Sequence, residues 1–290
     1  MDRYKKHPVA VCWGIFLICM TVRIIEYFFI KTDETVLAEN VIHKLFGIGV
    51  LFILLRATKS KWSDIGFVKP GFVKRVAQGL LLGTACFTIA YIVECIILYL
   101  TNGNVSLRIY ASGFSLRGEA VEQTGIQFIL MCIAWNIINV WMEEGIFRGF
   151  YTRILEEKNY FRSIALVAFL FGIWHWVMPF RDYVEGNSSL ANLFVMGIGY
   201  VILAAMMSLK WSLLYRMTGS LWIGLGDHLF NNVFVTNLVH VISNNEADSM
   251  QIVRILIGQL LSFLIVLAYD QKWGKAAVKT CDHVSGWNKD

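Results

Sequence analysis

An all-α bundle of membrane-crossing helices is the fold this chain predicts, and three observations carry that reading. Hydrophobic residues make up 57% of the 290 positions, above the roughly 45–50% usual for soluble domains, and mean hydropathy is +0.56. Apolar runs close to or beyond the roughly 20 residues needed to cross a bilayer recur from end to end. The net charge of +5 comes from basic residues gathered in short loops between those runs. They read as topological signals rather than as a nucleic-acid surface.

The runs predict about eight transmembrane helices, over 9–30, 40–55, 76–100, 126–155, 161–179, 190–208, 219–242 and 252–269. The first follows MDRYKKHP, is too long for a signal-peptide core and lacks a small-residue cleavage site, so a retained helix is expected. The second is followed by RATKSKWSDIGFVKPGFVKR, read as a solvated basic linker. The third leads into TNGNVSLRIYASGFSLRGEAVEQTG, whose Gly and Ser punctuation predicts an outer loop. A tight turn near Glu156–Tyr160 joins the fourth and fifth helices into a hairpin. Residues 1–270 form one membrane domain, and 271–290 a polar tail.

Placing the N-terminus in the cytoplasm puts most basic residues inside, Arg148, Arg153, Lys210 and Arg216 among them. Outside are Lys31, Arg108, Arg117 and Arg181, with acids such as Asp33, Glu34, Glu185 and Asp248. Both termini are then cytoplasmic. Five of the six cysteines, Cys12, Cys19, Cys86, Cys95 and Cys132, fall inside apolar runs without a CxxC pair, so buried thiols are expected rather than disulfides or a thiolate zinc site.

A charge at bilayer depth costs at least about 2.5–3.5 kcal/mol, so each one calls for an account. Arg23 and Glu26, three apart, are expected to pair. Lys44 and Arg254 lie near span ends from which they can snorkel, and Glu94 sits toward an outer end.

Three other stretches concentrate polar groups. In AWNIINVWMEEGIFR, Asn136, Asn139 and Glu143 recur at steps of three and four and make one stripe. Glu144 is four before Arg148 and can neutralise it; Glu143, five before Arg148, points about 140° away and is left for chemistry. FGIWHW carries His175, one turn after Phe171. At 1.5 Å per residue, Glu143 and His175 each lie about 23 Å from the turn, which brings them level across the hairpin. GDHLFNN places His228 and Asn232 on one face, with Asp227 and Asn231 on the neighbouring one.

A carboxylate, two imidazoles and a carboxamide, with no activated Ser or Cys nearby, point to water as nucleophile. Glu143 would take its proton, His175 would share or orient it, and His228 with Asn232 would donate to the oxyanion. Glu143, His175 and His228 are also donors of the kind that hold catalytic zinc, although HExxH spacing is absent. No cofactor is the expected state, with zinc the minority reading.

EEGIFR, FGIWH and HLFNN resemble, in order and spacing, the EExxxR, FxxxH and HxxxN motifs of the CPBP family: CAAX proteases of the Ras-converting type and bacteriocin-processing (Abi) enzymes. The motif region covers 135–235. The resemblance implies an intramembrane endopeptidase with active-site residues Glu143, His175, His228 and Asn232, supported by Glu144, Arg148, Phe171 and Asn139. It implies a membrane-associated or prenylated peptide substrate, a glutamate mechanism and a multi-pass location, expected in a bacterial plasma membrane. The competing reading is a non-catalytic immunity or scaffold protein on the same fold.

Overall fold

A computed structural model describes residues 6–35, 37–112, 122–155 and 159–285, with side chains through 273. Arg117, the start of the turn at Glu156–Lys158 and the side chain of Cys281 lie outside the described residues.

Helix α1, Pro8–Ile25, begins with proline at its first position, where the missing N–H costs nothing, and continues as a π-helix over Glu26–Ile30. Then come α2, Ile42–Ala57, and α3, Phe72–Asn102. Helix α4, Ile126–Glu143, runs on as a π-helix over Glu144–Tyr151 and a last α turn, Thr152–Leu155. The Asn159 side chain caps α5, Tyr160–Trp174, by accepting from the Arg162 N–H at 3.2 Å. Helix α5 stops one residue before His175, and α6, Val177–Val184, follows after a break in the expected 161–179 helix. Ser189 caps α7, Leu190–Thr218, in the same way. Helix α8, Trp222–Phe230, passes into a π-helix over Asn231–Leu238, and α9 is Gln251–Ser285.

All eight expected helices are present, and six are long and apolar enough to cross a membrane. The other two are α2 and α8. The chain is an integral, multi-pass, all-α membrane protein. Its one departure is a small antiparallel sheet at the expected outer end: β1, Ser106–Ile109, pairs with β2, Val239–Ser243, which pairs with β3, Glu246–Ala247. Strand β2 occupies the end of what periodicity alone continued as helix to 242.

The extensive packing is of α8 on α3, α5 on α7, and α9 on both α3 and α7. Helices α3 and α8 cross at two glycines. A Cβ on Gly226 would stand 3.2 Å from the Gly79 Cα, and one on Gly79 would strike the backbone of Ile223 and Asp227. Absent side chains there bring α8, and the residues it carries, against α3.

Several charges sit where sequence spacing did not place them. Helix α7 runs to Thr218 rather than 208, so Lys210 is no loop residue; it is fully buried, with Nζ 2.5 Å from Asp227 Oδ2. Arg148 is likewise buried. Glu26 does not pair with Arg23: its carboxylate accepts from the backbone N–H groups of Ile42 and His43 at 2.7 Å each, from the His43 ring and from Thr32, and so caps α2 from another helix. Lys44 does not snorkel but meets Glu39 at 2.7 Å in the interior. Arg254, also buried, donates to Glu94 at 2.8 Å and to Asp248 at 2.8 Å.

The basic linker is not simply solvated: Ile65 and Phe67 are buried, Arg153 donates to the Asp64 carbonyl, and Phe67 stacks on Trp141 at 4.7 Å. Among the described cysteines no disulfide forms, and Cys12, Cys19, Cys86 and Cys132 are buried. The acids and Arg181 assigned to the outer side do meet, with Arg181 bridging Asp33, Glu34 and Glu185.

Candidate active site

The site forms where α4 turns from α to π winding. Glu143 is the last α residue and Glu144 the first π residue, and both are buried. One Glu143 oxygen, Oε1, accepts from the indole N–H of Trp174 at 2.9 Å. The other, Oε2, lies 3.5 Å from His228 Nε2 and has no hydrogen-bond partner among the described residues.

Glu144 Oε1 takes Arg148 at 3.0 Å and His228 Nδ1 at 2.9 Å. The expected i,i+4 pair is therefore present, and the imidazole of His228 spans the two adjacent carboxylates, one at each ring nitrogen. Arg148 lies flat against the ring of Phe171, 3.9 Å from its centroid, and 4.7 Å from that of Trp211. Those aromatic faces stabilise a buried charge.

Trp211 is the second wall. Its ring stacks on His228 at 4.0 Å with planes 16° apart, and its N–H donates to Asp227 Oδ2 at 2.8 Å. Asp227 in turn holds Lys210, whose ammonium donates to Gln259 Oε1 at 2.6 Å and Ser262 at 2.8 Å. Gln259 Nε2 donates to Asn231, and Asn231 Nδ2 to Asn232 Oδ1 at 3.1 Å. This relay through α7, α9 and α8 fixes the carboxamide of Asn232 by its oxygen and leaves its amide N–H groups as donors.

His175 caps α5, and its Nδ1 is 2.9 Å from the Phe171 carbonyl. A carbonyl only accepts, so Nδ1 carries the proton, and in the neutral ring Nε2 is the acceptor. His175 is half-buried and close enough to act electrostatically on Glu143. It is not hydrogen-bonded to Glu143; the residue before it, Trp174, is. Asn139 is buried on the same helix as Glu143, while Asn136 turns its amide back to the Cys132 carbonyl at 2.9 Å.

The structure thus brings Glu143, Glu144, Arg148, Phe171 and His228 into direct contact, with His175 and Asn232 set further out. Trp174, Trp211, Lys210 and Gln259 are the participants that sequence spacing missed. Trp174 lies within the FGIWH motif, and the two indoles flanking His175 in IWHW were the available signal for it.

Of the three donors considered for zinc, Glu143 Oε2 and His228 Nε2 lie 3.5 Å apart. His228 directs both nitrogens at carboxylates, and His175 spends Nδ1 on a carbonyl. Among the described residues no group of three His, Cys, Asp or Glu is arranged to hold a metal ion.

Fold and site together define a polytopic helical membrane protein with a buried glutamate–histidine–arginine cluster. Residues 125–234 match a family model described as type II CAAX prenyl endopeptidase, Rce1-like, which supports the CPBP family. That stretch holds every residue of the cluster, from Glu143 to Asn232. Neither a curated protein nor a solved structure matches the chain.

Proposed function

We propose that this chain is an intramembrane endopeptidase that hydrolyses a peptide bond of a membrane-associated substrate of the prenylated CAAX type, with water activated by Glu143. The observation that carries the reading is the asymmetry of that carboxylate. Oε1 is anchored by Trp174, whereas Oε2 is buried and has no hydrogen-bond donor among the described residues. An unmade acceptor in the interior costs free energy, and a water molecule delivered with substrate satisfies it.

In this mechanism Oε2 takes a proton from water as the oxygen attacks the scissile carbonyl. The C–N bond then breaks, and the same proton passes to the departing amine. His175 Nε2 accepts from the second water hydrogen and orients the oxygen. Asn232, held by Asn231, donates to the oxyanion together with His228. Glu144 and Arg148 balance His228 without touching substrate. The steps need no cofactor or metal. The short outer loops accord with a bacterial plasma membrane.

The test is cleavage of an S-prenylated CAAX peptide in lipid or detergent by the wild type and by Glu143→Ala and His175→Ala. Rates are expected to fall by about 100-fold or more in each, the range for losing a general base, with helicity and membrane insertion unchanged. Full activity in both variants sinks the mechanism. Activity is expected to persist in chelator; loss restored by added zinc would replace the mechanism with a metal-assisted one.

A further inference from the structure

Arg23, on α1 and outside the matched segment, is 4% exposed. Its Nε and Nη1 have no hydrogen-bond partner, and its Nη2 reaches only the Tyr27 hydroxyl, at 3.5 Å. Each carboxylate of that corner has a partner other than Arg23, with Asp33 Oδ1 and Glu39 Oε2 left unpaired among the described residues. Glu26 caps α2 and binds His43, Asp33 holds Arg181 at 2.6 Å, and Glu39 holds Lys44 at 2.7 Å. Among the described residues Arg23 is therefore a buried cation without a counter-anion, an arrangement proteins retain only with a reason.

The surroundings supply the reason. The guanidinium lies over the ring of Trp174, 4.3 Å from its centroid, and 5.1 Å from that of Tyr27. Trp174 is the residue whose N–H anchors Glu143. Trp174 contacts both Arg23 and the water-activating carboxylate, which suits Arg23 to a charge further along the bound chain.

We infer that Arg23 is a substrate-binding residue that receives the free C-terminal carboxylate of the peptide, on the leaving side of the scissile bond. This rests on the endopeptidase reading and deepens it. An enzyme that trims a C-terminal tail meets a carboxylate within a few residues of the bond it cuts. A planar guanidinium is the side chain best matched to that group. The aromatic faces of Trp174 and Tyr27 hold the cation in place while the site is empty. Specificity for chain ends over internal loops follows, because a mid-chain segment brings no anion to Arg23.

The test uses one S-farnesylated CAAX peptide made with a free C-terminus and as its C-terminal amide. Binding is measured on the non-cleaving Glu143→Gln protein and KM on the wild type. The acid is expected to bind about tenfold or more tightly than the amide. Adding Arg23→Gln should raise the acid's dissociation constant and KM to meet those of the amide; Arg23→Lys should restore part of the difference. A merely structural Arg23 would weaken both peptides alike. No acid preference in the parent proteins, or the same preference in Arg23→Gln, overturns the inference. Acid preference without cleavage by the wild type would instead break the endopeptidase reading and leave the carboxylate site standing. Glu143-dependent cleavage without acid preference would do the reverse.

Discussion

Two clusters in this molecule join histidine, carboxylate and arginine, and they are built to different ends. At the outer sheet His240 directs Nδ1 to Asp248 at 2.5 Å and Nε2 to the carbonyls of Tyr110 and Asn237 at 3.1 and 3.2 Å. Asp248 accepts in addition from Arg254 and from the Val241 N–H, and Arg254 also reaches Glu94 and the Val235 carbonyl. Every acceptor on Asp248 and both nitrogens of His240 are used, which ties β2 to α3 and α9. At the membrane site Glu143 and Glu144 each keep one oxygen unpaired, and Arg148 has one carboxylate. The Asp248–His240 pair is a fastener, with Glu94 Oε1 and Arg254 Nε at its edge unpaired among the described residues. An unsaturated cluster of the same composition has acceptors left for a substrate and its water.

The contrast can be tested by removing one carboxylate from each cluster. Glu144→Ala strands Arg148 in the interior and takes the Nδ1 partner from His228, so a loss of about 3–5 kcal/mol is expected, measured by thermal or denaturant unfolding in detergent. A loss below about 1 kcal/mol, the size of a surface pair, would mean that the aromatic faces carry the charge alone. Trp174→Phe keeps a ring beneath Arg23 but deletes the N–H on Glu143. With a hydrogen bond to a charged acceptor worth about 1.5–3 kcal/mol, kcat should fall about 10- to 100-fold while the fold persists. An unchanged kcat would show that Glu143 needs no anchor.

Asp248→Asn gives the smallest effect, about 1.5 kcal/mol of stability with peptide cleavage retained, because Arg254 still has Glu94. Its pH dependence has a definite sign. Burial pushes the Asp248 carboxyl up, but the His240 hydrogen bond and the Arg254 charge outweigh it and hold the group below its ordinary value. The stabilisation is therefore present above the usual aspartate range of about 3.9 and is lost as pH falls through the lower folded value. Hydrogen exchange in β2, followed through that range, should accelerate in the wild type and show no such step in Asp248→Asn.

The local parts of the site were legible in the sequence, and the tertiary parts were not. The i,i+4 meeting of Glu144 with Arg148 follows from helix geometry alone. The level of α5 against α4 came out one residue from the observed contact, since counting rise per residue fixes depth but not which side chain of a turn faces across. Lys210 was assigned to a loop because the apolar run fades near 208, while the helix continues on polar residues that the interior satisfies through Asp227 and Gln259. Arg23 and Glu26 have good pairing spacing, yet two backbone N–H groups at the start of α2 compete for the carboxylate and win. The outer sheet was hidden because Val239–Ser243 is as apolar as the helix before it, and its partner strand comes from about 130 residues earlier in the chain.

The wider winding that begins at Glu144 and again at Asn231 has a consequence for mutational tolerance. A π segment carries one more residue per turn than the α geometry around it. Deleting Gly145, Ile146 or Phe147 would let the helix revert to α winding and bring Arg148 three residues after Glu144 instead of four. The contacts of Arg148 with Glu144 and with Phe171 would then be reset, although no charged group had been altered. Single-residue deletions in this stretch should thus be more damaging than most substitutions there, and the chain length between Glu143 and Thr152 is as much a part of the site as its side chains.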